Sequence, residues 1–269
     1  MNPIVLAILS VAIIAFLCSV MLVVASKVMA VPEDPLFPAV RECLPGANCG
    51  ACGYAGCDGY AKALASGEEK RTNLCVPGGD SGAAAIAGVL GVEVEDVIEM
   101  MAAVFCGGDC TLAPERADYE GTLTCAAAKL ISGGPKACAY GCLGYGDCAN
   151  VCPVHAISIE KGIAVVDPSL CIGCGLCSKT CPNHIIHMIP QVQKVIDRCS
   201  NPNMGKPVME VCKAGCIGCT KCSKVCPEGA ITMEGNLALV DAGKCTGCGT
   251  CVEACPTKSI QFVPKTKKD

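Results

Sequence analysis

An uninterrupted apolar run opens the chain. Residues Ile4 to Ser26 form 23 consecutive positions without a charge, which at about 1.5 Å per residue is long enough to cross a hydrocarbon core of about 30 Å. No Lys or Arg precedes this run, and it exceeds the apolar stretch of about 7–15 residues in a cleaved signal peptide. We therefore predict one uncleaved transmembrane helix. Lys27 and Arg41 follow it, so the positive-inside bias predicts a cytoplasmic location for the rest of the chain.

The apolar pattern beyond this run predicts both helices and strands. Apolar residues at helical spacing predict two helical pieces within residues 83–104 and another helix over about 122–131. Ile, Val and Leu alternate with other residues in two later stretches, 157–170 and 231–244, each with a turn at its centre. The alternation predicts a β-hairpin in each stretch.

Internal repetition dominates the second half of the chain. Four units, at 138–157, 171–186, 216–231 and 245–260, each end in Cys-Pro, three residues and Ile. In each half of this region, 18 residues separate the first Cys-Pro cysteine from the next group of cysteines. Units one and two are therefore predicted to form one module, and units three and four a second.

The cysteine content indicates what these repeats bind. The 269 residues include 27 cysteines, whereas aromatic residues make up only 3 % of the chain. An odd number of cysteines cannot all pair, and disulfide-dense folds are usually shorter than about 80 residues. Metal ligation is therefore the better interpretation. The formal charge of −4 and the lack of a clustered basic face argue against a nucleic-acid partner.

Units two, three and four share the spacing C-x2-C-x2-C-x3-C-P, which is the bacterial ferredoxin pattern for 4Fe–4S clusters. Three cysteines bind one cluster, and the cysteine before proline binds the other cluster of the module. Paired C-x2-C motifs also suit structural zinc, but three closely spaced cysteines followed by Cys-Pro favour the cubane. The predicted ligand sets, called sites one to four, are Cys138, Cys142, Cys148 and Cys181; Cys152, Cys171, Cys174 and Cys177; Cys216, Cys219, Cys222 and Cys255; and Cys226, Cys245, Cys248 and Cys251.

Unit one departs from this spacing, because it has C-x3-C-x5-C-x3-C-P. We predict that its longer loop binds the same kind of cluster with different amide contacts.

A different motif precedes the repeats. Cys49, Cys52, Cys57 and Cys75 have the spacing C-x2-C-x4-C-x17-C among several glycines, and a helix is predicted from about Asp58 to Leu64. Zinc would also fit this spacing. In a chain with ferredoxin motifs we predict a fifth 4Fe–4S cluster, bound at what is called the N-terminal site.

The assigned sets leave seven cysteines, of which Cys18 lies in the apolar run. A sixth cluster held by Cys106, Cys125, Cys199 and Cys212 is one interpretation, and buried free thiols are the other. Cys43 and Cys110 are competing ligands. The three histidines, His155, His184 and His187, follow Cys-Pro motifs and are predicted to be surface or cluster-shell residues.

These patterns predict an α+β chain with a single N-terminal transmembrane helix, a small Fe–S domain, a helical middle segment and two tandem ferredoxin-like modules. No arrangement typical of a complete catalytic site is present, so one-electron transfer is the predicted chemistry. The predicted divisions are 1–30 for the anchor, 31–80 for the N-terminal Fe–S domain, 81–135 for the middle segment, 136–190 for the first module, 191–210 for an insert, and 211–269 for the second module and tail.

The order of an N-terminal apolar helix, a GANCGACGYAGC motif and ferredoxin modules resembles the B subunit of the Rnf complex along essentially the whole chain. The resemblance implies a membrane-bound ferredoxin:NAD+ oxidoreductase that couples electron flow to Na+ or H+ translocation. It further implies that this subunit receives electrons from soluble reduced ferredoxin and passes them to membrane partners, while sibling subunits carry flavin and NAD chemistry. The Fe–S domains would lie on the cytoplasmic side of the cell membrane.

Two other functional classes remain open at this stage. One is a polyferredoxin subunit of another membrane oxidoreductase, and the other is a metal-storage or structural protein without a redox partner.

Overall fold

The computed structural model describes residues 3–28, 34–94 and 98–264. Helix α1, Pro3–Val28, contains the apolar run. Side chains of α1 are described without interruption over residues 11–26, and large apolar ones such as Phe16 and Met21 are exposed. Within the described residues, no helix has both the length and the apolar content needed to cross a membrane. The transmembrane helix therefore stays a prediction.

Three helices form the domain that follows α1. They are α2, Leu36–Glu42; α3, Cys57–Ala65; and α4, Gly79–Leu90. Val40, Tyr60, Leu64 and Ile86 are buried where these helices meet. The helix predicted over 58–64 is confirmed within α3, and the first piece predicted within 83–104 is confirmed within α4.

The second helical piece predicted within 83–104 is wrong. Residues Met100–Val104 form strand β1, which pairs antiparallel with β4, Ile186–Pro190. Residues 95–97 lie outside the described part, and residues 98–99 are not helical. Met and Ala favour a helix locally, but four of the five β1 residues are buried and pair with an edge strand. Tertiary pairing therefore decides the structure of this segment.

Each repeat module has the same four strands. The first module contains β1, β2 (Ile157–Glu160), β3 (Ile163–Val166) and β4. The second module contains β5 (Val195–Asp197), β6 (Ile231–Glu234), β7 (Leu237–Val240) and β8 (Ile260–Phe262). In both modules the middle two strands form an antiparallel hairpin, and the first strand pairs with the last. Both predicted hairpins are confirmed. The first strand of each module lies upstream of the residues predicted for that module.

Short helices flank these strands. The first module contains α5 (Cys125–Leu130), α6 (Asp147–Asn150) and α7 (Leu176–Thr180). The second module contains α8 (Lys206–Val211), α9 (Lys221–Val225) and α10 (Thr250–Ala254). The helix predicted over about 122–131 is confirmed by α5. In both modules a segment is inserted between the first strand and the cysteine run, and α5 and α8 belong to these inserted segments.

Candidate iron–sulfur centres

Three cavities are each lined by four cysteines, and these are the ligand sets predicted for sites two, three and four. The empty space among their lining atoms, which includes space open to solvent, is about 320, 300 and 280 Å³, respectively. Each cavity receives three cysteines from one loop and the Cys-Pro cysteine from the other loop of its module. The lining cysteines are Cys152, Cys171, Cys174 and Cys177 at site two; Cys216, Cys219, Cys222 and Cys255 at site three; and Cys226, Cys245, Cys248 and Cys251 at site four.

Local backbone geometry explains why each loop serves two cavities. Thr220 adopts a left-handed conformation (φ 58°) and turns the chain into α9. The helix ends at Cys226, which is extended (φ −73°, ψ 114°) because the following proline disfavours helical geometry in the residue before it. Helices α7 and α10 begin and end in the same way. The fourth cysteine is therefore directed away from the loop that carries the other three.

The cysteine run of unit one is irregular, as its sequence spacing indicates. When the two modules are aligned on Cys152 and Cys226, Cys142 and Cys148 match Cys216 and Cys222. Tyr145 then stands where the third unit has Cys219. Unit one is therefore a ferredoxin run with its middle cysteine replaced, and Cys138 lies outside the run.

Cys125 lies near the irregular run of unit one. Burial and the nearby thiols of Cys142, Cys125 and Cys181 raise the pKa of Cys148 to about 12. Asp147 accepts hydrogen bonds from the backbone amides of Cys125, at 2.9 Å, and of the next residue, at 3.0 Å. These bonds hold the start of α5, and with it Cys125, against the loop that carries Cys148.

Cys138 lies in a fourth cavity, of about 380 Å³, together with Cys106, Cys199 and Cys212. Three of these four cysteines belong to the set predicted for a sixth cluster, and Cys125, the fourth member of that set, does not line this cavity. Neither competing ligand lines this cavity, because Cys110 is exposed and Cys43 packs against the core of the N-terminal domain. Alignment of the modules on their Cys-Pro cysteines is the sequence signal that separates Cys138 from site one.

The four cysteines of the N-terminal motif also come together. Burial, together with the thiols of Cys57, Cys52 and Cys49, raises the pKa of Cys75 to about 11. Asn48 Oδ1 accepts a hydrogen bond of 2.9 Å from the backbone amide of Cys57 and fixes the loop at the start of α3.

The N-terminal site lies against site two. Lys179 Nζ, in α7, donates a hydrogen bond of 3.1 Å to the carbonyl of Gly50. Burial raises the pKa of Cys174, and the thiol of Cys49 contributes to the same shift. The two sites are therefore neighbours, although their motifs are far apart in sequence.

The chemistry of the sites fits a multinuclear iron–sulfur group. Backbone amides donate to ligand sulfurs, as from Ala156 to Cys152 at 3.3 Å and from Ala230 to Cys226 at 3.4 Å, and such hydrogen bonds tune iron–sulfur clusters. In the described ranges, no group of three or more His, Cys, Asp or Glu side chains is arranged to hold a metal ion. Each of the three cavities offers four cysteines, which is the ligand number of a 4Fe–4S cluster.

The three histidines line none of the four cavities. His155, His184 and His187 are exposed, and His187 makes an edge contact with Phe105, with ring centroids 4.7 Å apart. The structure therefore agrees with a surface location for all three.

The duplicated four-stranded modules and their cysteine-lined cavities define an iron–sulfur protein of the ferredoxin type. Family models agree: a model for an Fe-S cluster matches residues 44–77, a "4Fe-4S binding domain" matches 164–187, and a "4Fe-4S dicluster domain" matches 215–259.

Three relatives identify the family within this class of protein. The B subunit of the Na+-translocating ferredoxin:NAD+ oxidoreductase complex of Acetobacterium woodii is 45 % identical over 83 % of this chain and 67 % of its own length. The B subunit of the proton-translocating complex of Clostridium ljungdahlii is 44 % identical over 90 % of this chain and 85 % of its own. The B subunit of the ion-translocating oxidoreductase complex of Methanosarcina acetivorans is 42 % identical over 86 % of this chain and 88 % of its own length. The chain belongs to the family of Rnf complex B subunits.

Proposed function

We propose that this chain is the electron-entry subunit of a membrane-bound ferredoxin:NAD+ oxidoreductase that couples electron flow to Na+ or H+ translocation. It takes electrons from soluble reduced ferredoxin and passes them to membrane and flavin-bearing partner subunits. When bound, 4Fe–4S clusters supply one-electron transfer, at potentials that the surrounding protein sets within roughly −700 to +450 mV. The names of the relatives, which are B subunits of such complexes, support the proposal.

The proposal assigns one 4Fe–4S cluster to the N-terminal site and one to each of sites one to four. Site one is assigned Cys125, Cys142, Cys148 and Cys181, because Tyr145 replaces a ligand of the run and Cys125 lies beside Cys148. The other sets stay as the sequence predicts them.

Exposure of the ligands is the observation that favours electron entry at the second module. Cys219 and Cys248, the middle cysteines of its two runs, are both exposed. The matching positions in the first module are Tyr145 and the buried Cys174, which lies beside the N-terminal domain. A docked electron donor therefore comes closest to sites three and four.

Charge along the chain supports the same entry point. Residues 206–269 contain nine lysines and six acidic residues, whereas the preceding 205 residues contain 12 basic and 19 acidic ones. The polypeptide of the second module is thus less acidic than the rest of the chain, which would favour the approach of a negatively charged donor toward sites three and four over its approach to the other sites.

The other end of the chain is proposed to face the membrane. Residues 4–26 carry no charge and lie within the helix α1, which we assign as a single-pass anchor with the Fe–S domains on the cytoplasmic side. The N-terminal domain follows α1 closely in sequence, so the N-terminal site is the proposed exit toward membrane partners.

The test is a Cys49→Ser variant in the intact complex. Removing a ligand of the N-terminal site is expected to stop NAD+ reduction by ferredoxin while sites one to four stay reducible, as followed by low-temperature EPR. Cys43→Ser is the matched control, because Cys43 belongs to the same domain but to none of the ligand sets, and it should leave both readouts unchanged.

Two results would contradict the proposal. If sites one to four also stayed oxidised in Cys49→Ser, electrons would enter at the N-terminal site. If the unmodified chain contained zinc and no iron that can be reduced, it would be a storage or structural metal protein instead.

A further inference from the structure

Four thiols that the proposed function does not use surround one buried cavity. Cys106, Cys138, Cys199 and Cys212 line it, and each is 7–8 % exposed. The empty space of the cavity, about 380 Å³ including space open to solvent, is similar to the 280–320 Å³ measured in the same way at sites two to four. Each of those three cavities is also lined by four cysteines.

The two modules contribute equivalent residues to this cavity. Cys106 and Cys199 each lie two residues beyond the first strand of a module, since β1 ends at Val104 and β5 ends at Asp197. The other two thiols are equivalent as well. Cys138 and Cys212 each stand four positions before the first cysteine of a run, in the shared sequence C-x2-G-C. Duplication of the module has therefore duplicated a pair of thiols, and the two pairs meet.

Backbone amides approach the sulfurs from both modules. The amide of Cys142, a ligand of site one, donates to Cys106 Sγ at 3.3 Å. The amide of Cys216, a ligand of site three, hydrogen-bonds the thiol of Cys199. The cavity thus lies between site one and site three, with one direct amide link to each. Amide-to-sulfur bonds of this kind are also found at sites two and four.

Asn201 adds two more donors. Its backbone amide donates to Cys199 Sγ at 3.5 Å, and its side-chain nitrogen lies 3.8 Å from Cys138 Sγ. Asn201 itself is 2 % exposed, so its amide side chain is buried beside the sulfur of Cys138.

Two cationic residues also line the cavity. Lys136 is 3 % exposed, and its Nζ donates to the carbonyl oxygens of Gly108 and Gly162 at 3.3 and 2.8 Å. Arg198 donates to the carbonyl of Cys106 at 3.0 Å. A buried ammonium group is costly unless it is compensated. A cluster held by four thiolates is negatively charged, and its charge would compensate these cations.

We propose that Cys106, Cys138, Cys199 and Cys212 bind a sixth 4Fe–4S cluster, which lies between the two ferredoxin modules and connects site one to site three. The proposal rests on the iron–sulfur function proposed above and extends it with a site that none of the four ferredoxin runs encodes.

The test is a metal count on the full-length chain, purified without oxygen. We expect about 24 iron atoms per chain and no zinc in the unmodified protein, and about 20 iron atoms in Cys199→Ser. Cys110→Ser, which removes an exposed cysteine outside every site, should retain the full count. Cys251→Ser, which removes a ligand of site four, should lose about four iron atoms.

The controls separate the two proposals. If Cys251→Ser loses iron but Cys199→Ser does not, the sixth site is wrong and the iron–sulfur function stands. If the unmodified chain holds no iron, the iron–sulfur function is wrong. An unmodified chain with about 20 iron atoms, with or without one zinc, also overturns the sixth cluster. This last count remains decisive if Cys199→Ser does not fold.

A second variant leaves all four thiols in place. Asn201→Ala removes the side-chain amide beside Cys138, so it should keep the full iron content and lower the potential of one component in an EPR-monitored redox titration. A titration identical to that of the unmodified protein would mean that no cluster contacts Asn201.

Discussion

At the scale of single residues, the most informative position is Tyr145. It stands where the third unit has Cys219, and the next residues in the two units, Gly146 and Thr220, share a left-handed backbone (φ 85° and 58°). The loop therefore has the geometry of a ferredoxin run although its middle ligand is absent. Cys125, from the inserted segment, lies near Cys148 and is the thiol proposed to replace the absent ligand.

This exchange predicts a rescue. Cys125→Ser should lose about four iron atoms per chain, because site one is left with three thiols. Adding Tyr145→Cys to that variant should restore the iron, since the new thiol occupies the position of Cys219 in an equivalent loop. Iron content and EPR spin counts are the measurements, and Cys110→Ser is the control. If Cys125→Ser keeps all its iron, Cys125 is not a ligand of site one.

At the scale of elements, α4 offers a matched pair of glycines. A Cβ at Gly88, inside the helix, or at Gly91, just after it, would meet no atom within 4 Å. Gly91 has φ 69° and ends the helix in a left-handed conformation. Gly88→Ala should therefore stabilise the N-terminal domain by about 0.5–1 kcal/mol, whereas Gly91→Ala should destabilise it by roughly 1–2 kcal/mol.

Denaturant midpoints of the two variants, measured without oxygen, check this prediction. Opposite shifts are required, because the two substitutions add the same methyl group and differ only in backbone conformation. Equal shifts of one sign would show that the contacts of α4, and not its backbone, determine the effect.

Local signals determined which elements the sequence could predict. The hairpins β2–β3 and β6–β7 were predictable because alternation and a central turn lie within one short stretch. The strand β1 was not, since Met100–Val104 favours a helix by composition and becomes a strand only by pairing with β4, a distant segment. The same limit applies to the ligands. Spacing within a loop defines most of each proposed ligand set. Tertiary structure, in contrast, brings Cys125 near Cys148 and brings Cys138 into the cavity that it shares with Cys106, Cys199 and Cys212.

At the scale of the whole molecule, the sites follow one another in an order different from that of the sequence motifs. Lys179 joins the N-terminal domain to the loop of site two, and sites one and two share the first module. The cavity between the modules touches site one through Cys142 and site three through Cys216, and site four completes the second module. The proposed path therefore passes from the second module through the central cavity to the first module and the N-terminal site.

This order predicts that Cys106→Ser divides the chain into two redox segments. With reduced ferredoxin as donor, freeze-quench EPR should show about two reduced clusters per chain at early times, from sites three and four. The first module and the N-terminal site should follow much more slowly than in the unmodified protein, because the connecting site is lost. A small reductant that reaches every site directly should still reduce all five remaining clusters, which controls for cluster loss elsewhere. If ferredoxin reduced all five sites at the unmodified rate, electrons would cross between the modules without Cys106. If the N-terminal site were reduced first, ferredoxin would dock at the opposite end of the chain.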